Sequence, residues 1–333
     1  MSRLKLTYGG VSYLDRTRAL ETGEVCPAGI DLNYIVPASI DDLFRAVAAR
    51  TEFEIAEFSL GTLMLMVGKG DDRLIGLPVF PSRAFRHEQI YINVNSGIRN
   101  PTDLAGREVG IQEWQMTAAL WVRAHLQHDY GVKPDQIRWR TGGLFVPRHA
   151  TRMPVNIPAE VELRLIPEGE TLEGMLLDGR IDALVSTEPP KSFVAGDARI
   201  ARLFPDVRKL EREYFIRTGF FPIMHCVVLR RDVYEANRWI AMSLLNAFNE
   251  AKRLGRERLI YQGAYAVGLP WLSLETEEVN ALFGGDAFPY GFQSNLPILE
   301  AMTTYAHEQG FTPRKLDPKE LFAPEALVDS IPG

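Results

Sequence analysis

Short apolar strands alternate with helical segments along most of this chain, and that alternation limits its fold more than any other feature. The strand FEIAEFSL is followed by the apolar helix GTLMLMVGKG, and the strand REVGI is followed by a long helix that ends at Gly131. Ser39 is predicted to cap the helix IDDLFRAVAAR. Parallel strands need a crossover connection, usually a helix, so this order predicts parallel sheets. The sequence therefore predicts an α/β fold.

The length of the chain and one strand late in the sequence predict two lobes. A chain of 333 residues exceeds one compact domain of ordinary size. The loop NPTDLAG opens a new run of strands and helices, and the strand GFFPIMHCVVLRR returns after the segment around Tyr214. We predict a discontinuous first lobe of residues 1–95 and 216–333, with residues 96–215 inserted as the second. Two crossings would form a hinge, with the ligand site in the cleft.

Composition and motifs exclude several classes of function. The net charge is -6 and no basic tract occurs, so a nucleic-acid partner is not expected. The cysteines, Cys26 and Cys226, form no CxxC. No P-loop, GxSxG elbow or nucleotide fingerprint is present, so no cofactor is predicted. The start, MSRLKLTYGG, lacks the apolar core of a signal peptide, and no run approaches a membrane span of ~18 apolar residues. The sequence predicts a cytoplasmic protein without a membrane partner.

A turn is predicted at Pro81, and the segment PSRAFRH then places Arg83, Arg86 and His87 within five positions at the start of a strand. Arginine binds a carboxylate through two parallel N–H groups, so this spacing suggests a small anionic substrate. Pairing of either arginine with Glu88 is an equally good interpretation. His87 could transfer a proton, since imidazole titrates near neutral pH, although a single His beside a strand is more often structural.

Other candidate residues fall at strand ends or helix starts, where α/β proteins place ligands. Thr117 at a helix start could bind an anion or simply cap the helix. His225 lies in the apolar run FFPIMHCVVL, where a buried structural imidazole is the alternative. His125 and His128 are predicted to lie on a solvated helix face. The remaining candidates are Arg16, Glu57, Ser59, Gln115 and Glu188.

Five segments, in this order, resemble the 4,5-dihydroxyphthalate decarboxylase family: RTRALETGEV, PVFPSRAFRH, GREVGIQEWQMTAALWVRAHLQHDYGV, RLFPD and TGFFPIMHCVV. The resemblance runs from about Leu4 to the C-terminal helices. It implies a two-lobed fold like that of type II periplasmic binding proteins. It also implies non-oxidative decarboxylation of 4,5-dihydroxyphthalate to protocatechuate and CO2, as in phthalate degradation, without an organic cofactor.

The family's reaction suggests roles for the candidate residues. Arg83 and Arg86, helped by Thr117, would hold the carboxylate that stays. Glu57 or His225 would accept the phenol proton, and His87 or His225 would protonate the ring. The other substrate contacts would be Arg16, Ser59, Gln115 and Glu188. The leaving carboxylate would face an apolar surface that excludes water, formed by Trp114, Phe85 and Phe221.

Three other functions stay open at this point. A solute-binding protein for an aromatic or sulfonate anion would need a secretion leader. A ligand sensor would need a DNA-binding or signalling module. An enzyme that makes a thiamine-precursor pyrimidine would share the fold, but the arginines of PSRAFRH favour a dicarboxylate. Apolar stretches in the C-terminal helices suggest a homo-oligomer. A metal held by separated Glu, Asp and His side chains is also left open.

Overall fold

The computed structural model describes residues 3–147, 153–261, 263–265 and 267–328. By internal contacts the chain forms two compact units. Unit 1 comprises residues 1–83, 223–300 and 317–333, and unit 2 comprises residues 84–222 and 301–316. Among the described residues, no helix is both long enough and apolar enough to cross a membrane.

The strands, in chain order, are β1 (Leu4–Gly9), β2 (Ile30–Ile35), β3 (Ile55–Ser59), β4 (Leu74–Arg83), β5 (Ile90–Asn93), β6 (Glu108–Ile111), β7 (Arg138–Thr141), β8 (Leu163–Leu165), β9 (Ala183–Val185), β10 (Ile200–Arg202) and β11 (Ile223–Arg230). The α-helices are α1 (Arg18–Glu21), α2 (Ile40–Arg50), α3 (Leu60–Gly68), α4 (Thr117–Tyr130), α5 (Leu172–Leu177), α6 (Lys191–Val194), α7 (Val207–Thr218), α8 (Arg231–Ala236), α9 (Ile240–Ile260), α10 (Leu272–Phe283) and α11 (Leu296–Glu308). Seven short 3₁₀ helices are described, of which His87–Gln89 matters most below.

Unit 1 is built on a sheet with the strand order β2-β1-β3-β11-β4. Strands β1, β2 and β3 are parallel, while β11 runs antiparallel to both β3 and β4. Strand β3 is buried along its whole length, as expected of a central strand covered on both faces. The sheet thus places Glu57 and Ser59 on a strand that is out of contact with water.

Helix boundaries in unit 1 follow local signals in the sequence. The Ser39 side chain accepts a hydrogen bond from Asp42 N–H and caps α2, which confirms the predicted helix start. Ser59 ends β3 and caps α3 in the same way, through Thr62 N–H. The polypeptide therefore turns from strand to helix directly after the buried part of β3.

Unit 2 has its own sheet, in the order β10-β5-β9-β6-β7-β8. Strands β6 to β9 pair in parallel, and β5 is antiparallel to its neighbours β9 and β10. Helix α4 ends at Gly131, whose φ of 72° is readily adopted only by glycine, which confirms the predicted helix end. Buried apolar side chains from β5, β9 and α5 form a core on one face of this sheet.

Both sheets are mixed rather than purely parallel as alternation suggested. The antiparallel strands are β11 and β5, which lie close to the residues where the chain passes from one unit to the other. A strand reached from another unit is not bound by the crossover rule that makes successive strands parallel. The predicted boundary near residue 95 differs from the observed one, because β5 already pairs within the sheet of unit 2.

The predicted turn at Pro81 is wrong, since β4 continues through Pro81 and Ser82 to Arg83. Proline cannot donate a hydrogen bond to a neighbouring strand, and it is tolerated where pairing is irregular. The register between β4 and β11 shifts on both sides of His225, which provides that irregularity. Strand β7 carries the pattern RWRT, which has too few apolar residues to be recognised from sequence.

Candidate functional site

A buried carboxylate at the centre of the unit 1 sheet accepts three hydrogen bonds. Glu57 Oε2 accepts from Val11 N–H at 3.0 Å, and Oε1 accepts from the Tyr13 hydroxyl at 2.7 Å. The third partner is His225 Nδ1, 2.6 Å from Oε1. Glu57 is fully buried, and a buried charge is tolerated only when it is paired and hydrogen-bonded. These three contacts supply that compensation.

The hydrogen bonds of Glu57 fix which nitrogen of His225 carries a hydrogen. An ionised carboxylate can only accept, so the His225 Nδ1 facing it must be the donor. The opposite nitrogen, Nε2, is then the atom that can take up or release a proton. The His225 side chain is 19% exposed, so it is not sealed from solvent as Glu57 is. The pair combines a reachable imidazole with a carboxylate that orients it, the arrangement used by general acids and bases.

Strand pairing explains why these two side chains meet. In the antiparallel register of β3 and β11, Glu57 lies opposite Val227 and His225 lies opposite Ser59. Glu57 and His225 are thus diagonal neighbours on one face, within reach for long side chains. The edge of the Phe44 ring packs against the imidazole, with centroids 4.8 Å apart. This packing holds the ring in place from α2.

The loop after β1 supplies the other two donors to Glu57. The Val11 carbonyl accepts hydrogen bonds from the Tyr34 hydroxyl at 2.7 Å and from the Thr17 hydroxyl at 2.9 Å. Thr17 Oγ1 in turn accepts from Tyr13 N–H at 2.9 Å. Tyr13 was not predicted from the sequence. Burial, together with the negative charge of Glu57, raises the pKa of its phenol well above the ordinary value, so Tyr13 stays a donor.

Arg16 lies beside this group of residues. Its guanidinium packs 4.4 Å from the ring centroid of Tyr13 and 3.9 Å from that of Phe288, and its Nε is 3.2 Å from Asp15. Two aromatic faces hold the guanidinium in one orientation. Arg16 also lines a cavity of about 240 Å³, together with apolar residues of α9 and α10.

Arg83 and Ser59 are held by contacts within unit 1. Arg83 donates to the carbonyl of Pro289 at 3.0 Å and to the side-chain oxygen of Asn295. Burial lowers the pKa of the Arg83 guanidinium to about 9. The Ser59 hydroxyl accepts from Thr62 Oγ1 at 3.1 Å, in addition to capping α3. The structure brings Arg16, Glu57 and His225 close to Tyr13, while Arg83 fastens the segment around Pro289.

The remaining candidates belong to unit 2. Arg86 donates to Gln89 Oε1 at 2.5 Å, and burial lowers its pKa to about 10. The Gln115 amide donates to Glu113 at 2.7 Å. Thr117 is the first residue of α4 rather than its cap, which is Met116. The side chain of Glu188 is exposed, and its backbone is tied to Ser186.

His87 packs in a buried cluster instead of at a surface. Its ring stacks on that of His125, with centroids 4.4 Å apart and planes inclined by 24°. The prediction that His125 lies on a solvated face is wrong, because only 4% of this residue is exposed. Burial and the neighbouring His125 lower the pKa of His87 to about 3, so its ring is neutral near pH 7.

The predicted apolar wall falls into two separate groups in unit 2. The rings of Phe85 and Phe221 pack with centroids 4.7 Å apart. Trp114 is buried elsewhere, where its indole N–H donates to the Gln309 carbonyl at 3.0 Å and Arg123 lies over its ring. Trp114 thus packs in the interior of unit 2.

Solved structures with a similar fold span nearly the whole chain. The periplasmic aliphatic sulphonate binding protein SsuA from Escherichia coli superposes with a TM-score of 0.55 at 15% identity, covering 98% of this chain and 99% of SsuA. The desulfurization enzyme DSZB superposes with a TM-score of 0.54 at 14% identity, covering 98% of both chains. At these identities the likeness shows the fold alone, which is that of type II periplasmic binding proteins.

Sequence comparison identifies nearer relatives, although no family model matches the chain. A 4,5-dihydroxyphthalate decarboxylase from Pseudomonas putida is 34% identical over 215 residues, which are 65% of this chain and 83% of the relative. A protein of the same name from Comamonas testosteroni is 35% identical over 327 residues, which are 98% of each chain. The chain therefore belongs to the 4,5-dihydroxyphthalate decarboxylase family.

Proposed function

We propose that this protein converts 4,5-dihydroxyphthalate to protocatechuate and CO2 without oxidation. The observation that carries the proposal is the Glu57–His225 pair, in which a buried carboxylate orients a reachable imidazole. Family membership indicates the substrate, since both curated relatives bear the name of this decarboxylase.

The substrate itself supplies the electrons for this reaction. Each carboxylate of 4,5-dihydroxyphthalate is para to a ring hydroxyl, so loss of the phenol proton pushes electron density onto the carbon that bears the carboxylate. Protonation of that carbon gives a cyclohexadienone-like intermediate. The bond to the carboxylate then breaks, CO2 leaves, and the bonding pair restores the aromatic ring. The phenol regains its proton, so the overall reaction consumes one proton for each CO2 released.

His225 is suited to deliver the proton to the ring carbon. As an imidazolium it would donate from Nε2, while Nδ1 stays hydrogen-bonded to Glu57 at 2.6 Å. The carboxylate stabilises the positive charge that the ring carries before transfer, and it prevents the ring from rotating. Proton transfer of this kind typically accelerates a reaction by ~10²–10⁴-fold.

Arg16 is the cation we assign to a substrate carboxylate in unit 1. Its guanidinium is held flat between Tyr13 and Phe288, next to the hydroxyl that contacts Glu57. Arg83 is better explained as a structural residue, since its guanidinium donates hydrogen bonds to Pro289 and Asn295. Arg86, Gln115, Thr117 and Glu188 in unit 2 stay predicted substrate contacts, while the buried and neutral ring of His87 leaves His225 as the proposed acid.

The proposed reaction also suggests a metabolic role and a cellular compartment. A reaction that removes one carboxylate from a hydroxylated phthalate belongs to aromatic catabolism, and we expect it in the cytoplasm. The predicted homo-oligomer can be checked by sedimentation of the purified protein.

Incubation with 4,5-dihydroxyphthalate tests the proposed function directly. We expect equal amounts of CO2 and protocatechuate, with turnover lowered in Arg16→Gln through a higher KM. Arg18→Gln is the matched control, because Arg18 is exposed and its side chain bonds only to Glu21 among the contacts described. Tight binding of the substrate without any product would contradict the proposal and favour a solute-binding protein.

A further inference from the structure

A second group of chemically active side chains lies inside unit 2, and the proposed reaction does not need it. His125 and Asp129 are one turn apart on α4, so they share a face of the helix. His87 comes from the 3₁₀ helix His87–Gln89. One ring nitrogen from each histidine and one oxygen of Asp129 lie within 4.8 Å of one another.

Two ring nitrogens in this group have no hydrogen-bond partner. They are Nδ1 of His87 and Nε2 of His125, both inaccessible to solvent, whereas Nδ1 of His125 faces Asp129 Oδ2 at 3.4 Å. The two residues are only 2% and 4% exposed, so bulk solvent does not reach these atoms. Buried polar atoms are nearly always hydrogen-bonded, and each exception calls for an explanation such as an ion. These two buried nitrogens without a hydrogen-bond partner therefore indicate a site for a ligand.

The surroundings restrict which ligand could be accepted. Tyr214 packs against both imidazoles, with ring centroids 5.1 Å from His87 and 4.7 Å from His125. Two imidazoles and a carboxylate are the ligands of zinc and similar transition metals, whereas Mg²⁺ and Ca²⁺ prefer oxygen.

We propose that His87, His125 and Asp129 form a binding site for a divalent transition metal of the zinc type. Glu211 is the candidate for a fourth ligand, because its Oε1 lies 3.8 Å from His87 Nδ1. The metal would tie the segment His87–Gln89 to α4 and so stabilise unit 2. This inference does not depend on the proposed decarboxylation.

Binding requires two local movements. Ligands around tetrahedral zinc lie about 3.4 Å apart, given bonds of about 2.1 Å, so the three donor atoms must draw together. The stacked rings must also tilt, because the lone pair of an imidazole nitrogen lies in the ring plane. Arg217, which donates to Asp129 at 2.8 Å, is 59% exposed and can swing into solvent.

Metal titration of variants tests the site. The protein is first treated with a chelator, and Zn²⁺ binding is then measured by competition with a chromogenic chelator. Co²⁺ replaces zinc to report coordination through its visible absorption. His125→Phe keeps an aromatic ring in the stack but removes the ligand, and Asp129→Asn removes the charge at constant shape. His128→Phe is the control, since His128 lies on the same helix but is exposed, bonds to Glu308 and packs on Tyr305.

We expect one Zn²⁺ per chain in the wild type and in His128→Phe, with affinity at least about tenfold weaker in His125→Phe and Asp129→Asn. Zinc should also raise the melting temperature of the wild type more than that of Asp129→Asn, because a ligand that binds only the folded state stabilises it in proportion to its affinity. Failure of the wild type to bind one equivalent would overturn the proposal, as would equal binding by Asp129→Asn and His128→Phe. If His125→Phe does not fold, Asp129→Asn decides alone.

Discussion

At the scale of single residues, the chemistry centres on Glu57 and the donors around it. The sequence indicates Glu57 and His225 as candidates but not their contact, because they are far apart in the chain and only the register of β3 against β11 brings them together. Antiparallel register between distant strands depends on the whole sheet, so no local pattern could reveal it. Tyr13 was not predicted for the same reason, since its role is to donate a hydrogen bond to Glu57.

Tyr13→Phe isolates one hydrogen bond of this group. The substitution removes the hydroxyl that donates to Glu57 and leaves the donors Val11 and His225 in place. We expect kcat to fall about ten- to a hundredfold, the equivalent of one hydrogen bond to a charged group, with KM nearly unchanged. Steady-state kinetics would show this, with the exposed Tyr261→Phe as control. A large rise in KM without loss of kcat would mean that Tyr13 binds substrate instead.

Burial rules out the role that the sequence suggested for His87. From sequence, its position beside two arginines suggested a proton donor. In the structure its ring is enclosed by His125 and Tyr214, and burial holds its pKa far below neutrality. Whether a histidine is enclosed depends on the packing of helices distant in sequence, which residue type and spacing do not encode.

At the scale of elements, β4 explains what Arg83 does. The strand carries Arg83 to its end, where the guanidinium meets the Pro289 carbonyl and the side chain of Asn295. From sequence, Arg83 in the segment PSRAFRH suggested a contact with a substrate carboxylate. The strand instead runs on through Pro81, because irregular pairing with β11 accommodates the proline.

Arg83→Gln distinguishes the structural role from substrate binding. Loss of the hydrogen bonds to Pro289 and Asn295 should reduce the free energy of unfolding by about 2–3 kcal/mol, which denaturant titration would measure. Arg253→Gln, at an exposed arginine on α9, should change it by less than about 1 kcal/mol. Unchanged stability of Arg83→Gln, together with a raised KM, would restore Arg83 as a ligand of the carboxylate.

At the scale of the whole molecule, the order of elements was largely predictable and their pairing was not. Strand and helix patterns and caps such as Ser39 and Gly131 identified most elements. The antiparallel placement of β11 and β5 arises from the passage of the chain between units, which periodicity does not record. The residues 301–316 belong to unit 2 by contacts, although they are separated from its other residues in sequence.

Chelator treatment should distinguish the proposed decarboxylation site in unit 1 from the proposed metal site in unit 2. The ring supplies the electrons for decarboxylation, so turnover at 25 °C should be the same with and without chelator. The melting temperature should fall on chelation, since the proposed metal stabilises unit 2. Turnover that is lost with chelator and regained with Zn²⁺ would contradict this separation and assign the metal to the reaction.

The role of His225 is tested most directly by the kcat of His225→Asn with 4,5-dihydroxyphthalate. The asparagine amide can replace Nδ1 as the donor to Glu57, but it has no equivalent of Nε2. His307→Asn is the matched control, because His307 uses Nδ1 toward the Thr312 carbonyl at 3.0 Å. We predict that kcat falls by ~10²–10⁴-fold in His225→Asn and stays near the wild-type value in His307→Asn, with both proteins folded. Near-wild-type kcat in a folded His225→Asn would contradict proton transfer by His225.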